Sequence, residues 1–124
     1  MKTASDVMTP MLLMIAPAAT VADAGAKMQE NNTHSLLVER ENATDAYGII
    51  TSTDVVRKVL ALGHDPATVK VREVMSKPII TIPPDCALFD IAQLMAHNHI
   101  NHLPVFDGAR LVGIVSSTDI FNVK

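Results

Sequence analysis

A single cysteine, Cys86, stands among the 124 residues, so no internal disulfide can brace the chain. Basic residues are not in excess: 10 Lys and Arg against 13 Asp and Glu give a formal net charge of -3, with a sequence pI near 5.9. That balance disfavours a surface built to neutralise a nucleic-acid backbone, and nucleic acid is not an expected partner. The longest apolar runs fall far short of a bilayer span, and no basic stretch followed by a long apolar core opens the sequence. A cytoplasmic protein with no membrane partner is expected. Also missing are a Gly-x-Ser-x-Gly elbow, a Walker loop and a Gly-rich dinucleotide fingerprint. Without them no catalytic residue is assigned, and the chain is read as a non-enzyme. What is present, 48% hydrophobic and 19% charged residues, is the mixture of a folded chain of ordinary domain size.

The chain repeats itself. GIITSTDVV, residues 48 to 56, returns as GIVSSTDIF, residues 113 to 121, at an offset of 65. The pairs are identical or exchange aliphatic for aliphatic or Ser for Thr, apart from Val56 against Phe121. Upstream, Asp6-Val7-Met8 resembles Glu73-Val74-Met75 and Met28 matches Met95, at an offset of 67. Repeat one therefore carries two extra residues between Glu39 and Gly48, in the polar stretch RENATDAY, where repeat two has the hairpin signal Asp107-Gly108. Extra length in a surface loop costs little.

Each repeat reads as a short extended segment, a helix, two strands and a second helix. Thr20 is expected to cap the first helix with Asp23 at its third position, placing Val21, Ala24, Gly25 and Met28 on one face. Asp85 is expected to cap its counterpart, which presents Leu88, Ile91, Ala92 and Met95. Strands follow at Leu36 to Val38 and Tyr47 to Ile50, and at Leu103 to Phe106 and Leu111 to Val115. A second helix starts at Ser52-Thr53-Asp54 and runs towards Leu62, with Gly63 as its stop; its partner starts at Ser117-Thr118-Asp119. The expected division is residues 1–62, a linker at 63–68, and residues 69–124. Units of this size bury little surface alone, so two are expected to pack about a pseudo-two-fold axis.

The order of these motifs, a Val-Met lead-in, an Ala-rich helix ending in Met, a Leu-Pro-Val strand and a Gly-x-x-Thr/Ser-x-x-Asp turn, resembles the CBS domain, named after cystathionine β-synthase. Two copies cover nearly the whole chain. The resemblance implies an α/β (α+β) fold: two pseudo-symmetric β-α-β-β-α units packed sheet to sheet, with up to two ligand sites in the cleft between them. It further implies a regulatory sensor of an adenosine-containing molecule, AMP, ADP, ATP or S-adenosylmethionine, that acts on a partner protein of unknown identity and forms a homodimer. No catalytic cofactor is implied.

By the same resemblance Asp54 and Asp119 take the ribose, and Thr51 and Ser116 the phosphate, with Thr53 and Thr118 beside them in the turn. The adenine slot would be built from Met11, Leu12, His34, Ser35 and Leu36 in repeat one. In repeat two it would be built from Pro78, Ile79, Ile80, His102, Leu103 and Pro104. Repeat one has Leu36-Leu37-Val38 where the Leu-Pro-Val strand stands in repeat two. The residues of the turn are chemically suited to these roles, since hydroxyls and first helical amides receive phosphate oxygens and a carboxylate accepts from both ribose hydroxyls. Arg57 and Lys58 lie one helical turn beyond Asp54, whereas Asn122 and Val123 follow Asp119. The first turn is thus expected to favour phosphates more than the second.

Plainer readings compete. Thr and Asp at such a turn also serve as helix caps. His97, His99 and His102 offer three imidazoles, but a helix end and a strand start do not make them converge, and no metal site is assigned. The same fold without a ligand would be a dimerisation or interaction module. Cys86, beside Asp85 at a helix start, is read as a small packed residue, although a helix N-terminus can lower a thiol pKa.

Overall fold

The computed structural model describes residues 1–123; Lys124, with which the expected second repeat ends, lies outside them. In chain order the elements are α1 (Ala4–Val7), β1 (Met14–Ile15), α2 (Val21–Glu30), β2 (Ser35–Val38), β3 (Gly48–Thr51) and α3 (Ser52–Val55). A π-helical stretch (Val56–Leu60) and a 3-10 turn (Val71–Glu73) lead to α4 (Leu88–Asn98), β4 (His102–Phe106), β5 (Leu111–Ser116) and α5 (Ser117–Phe121). They form two compact units: Leu13–Ile79, and Met1–Leu12 together with the chain from Ile80 onward. Residues 1–12, the lead-in of repeat one, therefore belong with the body of repeat two, while residues 63–79 belong with the body of repeat one.

In the unit Leu13–Ile79, β1 pairs parallel with β2 and β2 pairs antiparallel with β3. Ser76 then bridges Ile49 through reciprocal 2.9 Å hydrogen bonds. Helix α2 starts as the sequence suggests: Thr20 Oγ1 accepts from the Asp23 amide at 3.1 Å, and Asp23 Oδ2 accepts from the Thr20 amide at 3.1 Å. Val21, Ala24 and Met28 of this helix are buried, with Leu36, Val38 and Ile50 of the sheet and Val59, Val71 and Val74 from later segments. Gly25, expected on that face, is exposed.

The second unit repeats this plan with one strand reduced. Strands β4 and β5 pair antiparallel, Ile82 makes a single parallel bridge to Val105, and Thr9 bridges Ile114 on the other side. Proline explains the reduction. In repeat one the Leu37 amide donates to the Leu13 carbonyl at 3.0 Å and Glu39 donates to Ile15 at 2.9 Å. Pro104 occupies the place of Leu37 and has no N–H to give, so only the Phe106 amide and Ile82 sustain the ladder. The core gathers Ile82, Ile91, Met95, Leu103, Val105 and Val115, with Ala4 of α1 fully buried among them.

Three local expectations are corrected. Asp85 does not cap α4: the N-cap is Ala87, which makes no side-chain cap bond. The carbonyls of Pro84 and Cys86 instead receive the Ser5 and Ala4 amides at 2.9 Å, and Thr3 bridges Ala87, so this stretch is held extended. Ala92 is exposed, leaving a narrower buried stripe on α4. The second helix of repeat one is not uniformly α-helical to Leu62: after Val55 the Ala61 amide donates to Val56 and His64 to Val59, a widened turn that ends at Gly63 with φ +74°.

Candidate functional site

Both repeated turns are built alike. The residue that ends the strand, Thr51 or Ser116, caps the helix that follows, and the helices start at Ser52 and Ser117, as expected from the sequence. Thr51 Oγ1 accepts from the Asp54 amide at 3.1 Å, and Asp54 Oδ2 accepts from the Thr51 amide at 3.2 Å. Ser116 Oγ accepts from Asp119 at 3.1 Å, and Asp119 Oδ2 accepts from Ser116 at 2.8 Å. Asp54 and Asp119 are half-buried, whereas Thr53 and Thr118 are exposed. The capping reading of these residues is therefore realised in both turns. Each cap uses one carboxylate oxygen and leaves the other directed to different surroundings.

A backbone bond ties each turn to the strand beside it. The Ser52 amide donates to the His34 carbonyl at 2.9 Å, and Ser117 donates to Asn101 at 2.8 Å. The counterpart of His34 is thus Asn101, and His102 opposite Ser116 corresponds to Ser35 opposite Thr51. Asn32 and His99, also paired by the repeat, both take left-handed backbone with φ near +50° (50° and 52°) where the first helix of each repeat hands over to the strand.

Of the adenine-slot residues, His34, Ser35 and Leu36 stand together at the start of β2, with Leu36 buried and His34 exposed. Pro78 and Ile79 belong to the same compact unit. Met11 and Leu12 do not: they go with Ile80, His102, Leu103 and Pro104 in the other unit. Met11 is exposed; Leu103 and Pro104 are buried within β4. The structure thus redistributes the lead-in residues between the two slots read from the sequence, because each lead-in pairs with the outer strand of the other repeat.

A cavity of about 390 Å³ opens beside the first turn, lined by Gly25, Met28, Gln29, Asn32, Thr33, His34, Ser52, Val55 and Val56. Only His34 of the residues singled out from sequence as binding candidates lines it. The signal for the rest was Gly25, a glycine in a helix interior, where an added Cβ would meet nothing within 4 Å.

Cations sit unequally. Lys58 Nζ lies 3.7 Å from Asp54 Oδ1 and donates to the Val74 carbonyl at 3.0 Å; Arg57 is exposed. The three histidines diverge: His97 Nδ1 is 2.9 Å from the Gln93 carbonyl of its own helix, His99 follows α4, and His102 opens β4. Among the described residues no group of three His, Cys, Asp or Glu side chains comes together as a metal site. Cys86 is half-buried; burial first, then the charges of Asp90 and Asp85, pushes its thiol pKa up rather than down. No helix among the described residues is long and apolar enough to cross a membrane.

A β-α-β-β-α unit present twice, each copy closing on a capped Gly-x-x-Thr/Ser-x-x-Asp turn, defines a tandem-repeat α/β module. The profile of the CBS domain matches residues 4–61 and again residues 71–124, and the chain belongs to the CBS domain family. An uncharacterised protein of Methanopyrus kandleri is 35% identical over 109 residues, 87% of this chain and 55% of its own length, so the chain spans about half of that relative. The structure of a hexameric CBS-CP12 protein from bloom-forming cyanobacteria is 42% identical with a TM-score of 0.86, covering 97% of this chain and 70% of that one. Hypoxic Response Protein I, solved with two coordinated zinc ions, is 28% identical with a TM-score of 0.84 and 98% coverage of both chains. Paired CBS domains are commonly regulatory ligand-binding modules.

Proposed function

We propose that this chain senses an adenosine-containing molecule, AMP, ADP, ATP or S-adenosylmethionine, and through it modulates a partner protein. The observation that carries the reading is the duplicated turn: the same hydroxyl and carboxylate recur in the same backbone setting in both halves of a CBS pair. In this reading Asp54 and Asp119 take the ribose hydroxyls. Thr51, Thr53, Ser116 and Thr118 face the phosphate side, with Arg57 and Lys58 adding charge at the first turn. The residues fit such a ligand, because each capping carboxylate spends only one oxygen on the backbone; the other faces Lys58 at Asp54, and at Asp119 it has no partner among the described residues. The two functional halves are taken as residues 1–62 and 69–124, joined by residues 63–68.

A second reading, an interaction module, is favoured by Phe89 and Phe121, large apolar side chains left 71% and 86% exposed. The CBS-CP12 relative is hexameric, and we take a homodimer as the form of this chain. Thermal unfolding in the presence of each candidate separates the readings. A ligand that binds the folded state at a hundred times its Kd stabilises by about 2.7 kcal/mol and raises Tm measurably. No shift with any of the four compounds, on protein freed of nucleotide, would leave the interaction module; a shift with zinc alone would favour metal binding.

A further inference from the structure

The two repeated carboxylates differ in their second oxygen. Oδ2 of each is held by the amide three residues earlier, at 3.2 Å in Asp54 and 2.8 Å in Asp119. Oδ1 of Asp54 faces Lys58 Nζ at 3.7 Å, and that ammonium also donates to the Val74 carbonyl at 3.0 Å. The residue four positions after Asp119 is Val123, and among the described residues Asp119 Oδ1 has no hydrogen-bond or ion-pair partner. Lys58 is thus not a free phosphate ligand waiting in solvent. It is already engaged with the carboxylate that the ribose would use.

We propose that Lys58 is a built-in occupant of the first turn that makes this turn select phosphate-bearing adenosine compounds over the bare nucleoside, a selection the second turn lacks. The proposal rests on the nucleotide-sensing reading above. A ribose hydroxyl that donates to Asp54 Oδ1 competes with the ammonium for it. A nucleoside then leaves Lys58 without its counter-ion, whereas a nucleotide offers a phosphate oxygen in exchange, so the ion pair is replaced rather than lost. At Asp119 no cation of the described residues has to move, and nucleoside and nucleotide meet the same carboxylate. With Lys58 about half exposed, the effect is of surface-pair size, a few-fold in affinity. The movement has a structural correlate, because the Val74 carbonyl that Lys58 leaves follows the turn Val71–Glu73 and precedes Ser76, the residue bridged to β3.

The test is calorimetric titration with AMP and with adenosine in the Asp119→Ala background, which isolates the first turn, with and without Lys58→Met. Methionine keeps most of the stem and removes the charge; Lys58→Gln is the second variant, and the far-ultraviolet spectrum and Tm of each report its fold. The expected result is that adenosine affinity rises and the AMP-to-adenosine affinity ratio falls by about threefold or more in both variants. An unchanged ratio, or weaker adenosine binding, while AMP still binds and still requires Asp54, overturns the role of Lys58 alone. Absence of any AMP or adenosine binding to the unsubstituted protein overturns this inference together with the nucleotide reading.

Discussion

At the residue scale, two glycines show why the repeated motif begins as it does. An added Cβ at Gly113 would lie 2.6 Å from Met8 Sδ and 3.0 Å from the Thr9 carbonyl; at Gly48 it would lie 3.0 Å from Met75 Sδ and 3.2 Å from the Ser76 carbonyl. Each glycine makes room for a Val-Met lead-in to lie along the outer strand. Gly113→Ala is therefore expected to destabilise by about 1–3 kcal/mol and Gly48→Ala by less, read from urea midpoints at unchanged slope. Equal costs would contradict the tighter approach at Gly113. Asp45 gives a second prediction. Its hydrogen bond from Lys77 at 2.9 Å, followed by the Glu41 amide, lowers its pKa to about 2 from an ordinary 3.8. A depressed folded pKa means its contribution to stability is complete above the unfolded value and fades as pH falls from about 4 through about 2. A carbon-detected NMR titration should find the midpoint near 2, moving towards 3.8 in Lys77→Met; an unmoved midpoint would deny the ion pair its role.

At the scale of elements, the caps carry both structure and the proposed binding, and they can be told apart. Thr51→Ala removes the acceptor of the Asp54 amide and is expected to cost about 1 kcal/mol with no ligand present, while Thr51→Ser keeps the acceptor and the stability. A Thr51→Ala variant as stable as the parent would mean that the cap contributes nothing. The capping box of Thr20 and Asp23 was legible because its donors and acceptors are three residues apart and local. The cap at Asp85 was misread because what decides it is distant: α1, some 80 residues earlier in the chain, takes the carbonyls of Pro84 and Cys86. The reduced strand of repeat two was written in Pro104, but its consequence appears only when the register against Ile82 is known. The π-helical stretch after Val55 had no signature in the sequence, since Val, Arg, Lys and Leu fit an α-helix equally well.

At the scale of the molecule, the duplication was the strongest signal in the sequence, and it gives the family and the β-α-β-β-α plan directly. The exchange of lead-in segments was not legible, because both repeats carry a Val-Met pair and local patterns are the same whichever body it joins. That exchange regroups the slot residues: Met11 and Leu12 go with His102, Leu103 and Pro104, while Pro78 and Ile79 go with His34 to Leu36. The turns themselves, Thr51 to Asp54 and Ser116 to Asp119, keep the places read for them. The sensing proposal therefore stands on these turns. Its most direct test is calorimetric titration of AMP into nucleotide-free protein, beside the variant Asp54→Ala/Asp119→Ala with its Tm recorded. Saturable binding by the parent, abolished in a double variant that still melts cooperatively, is the predicted result. Binding that survives the loss of both carboxylates would contradict it.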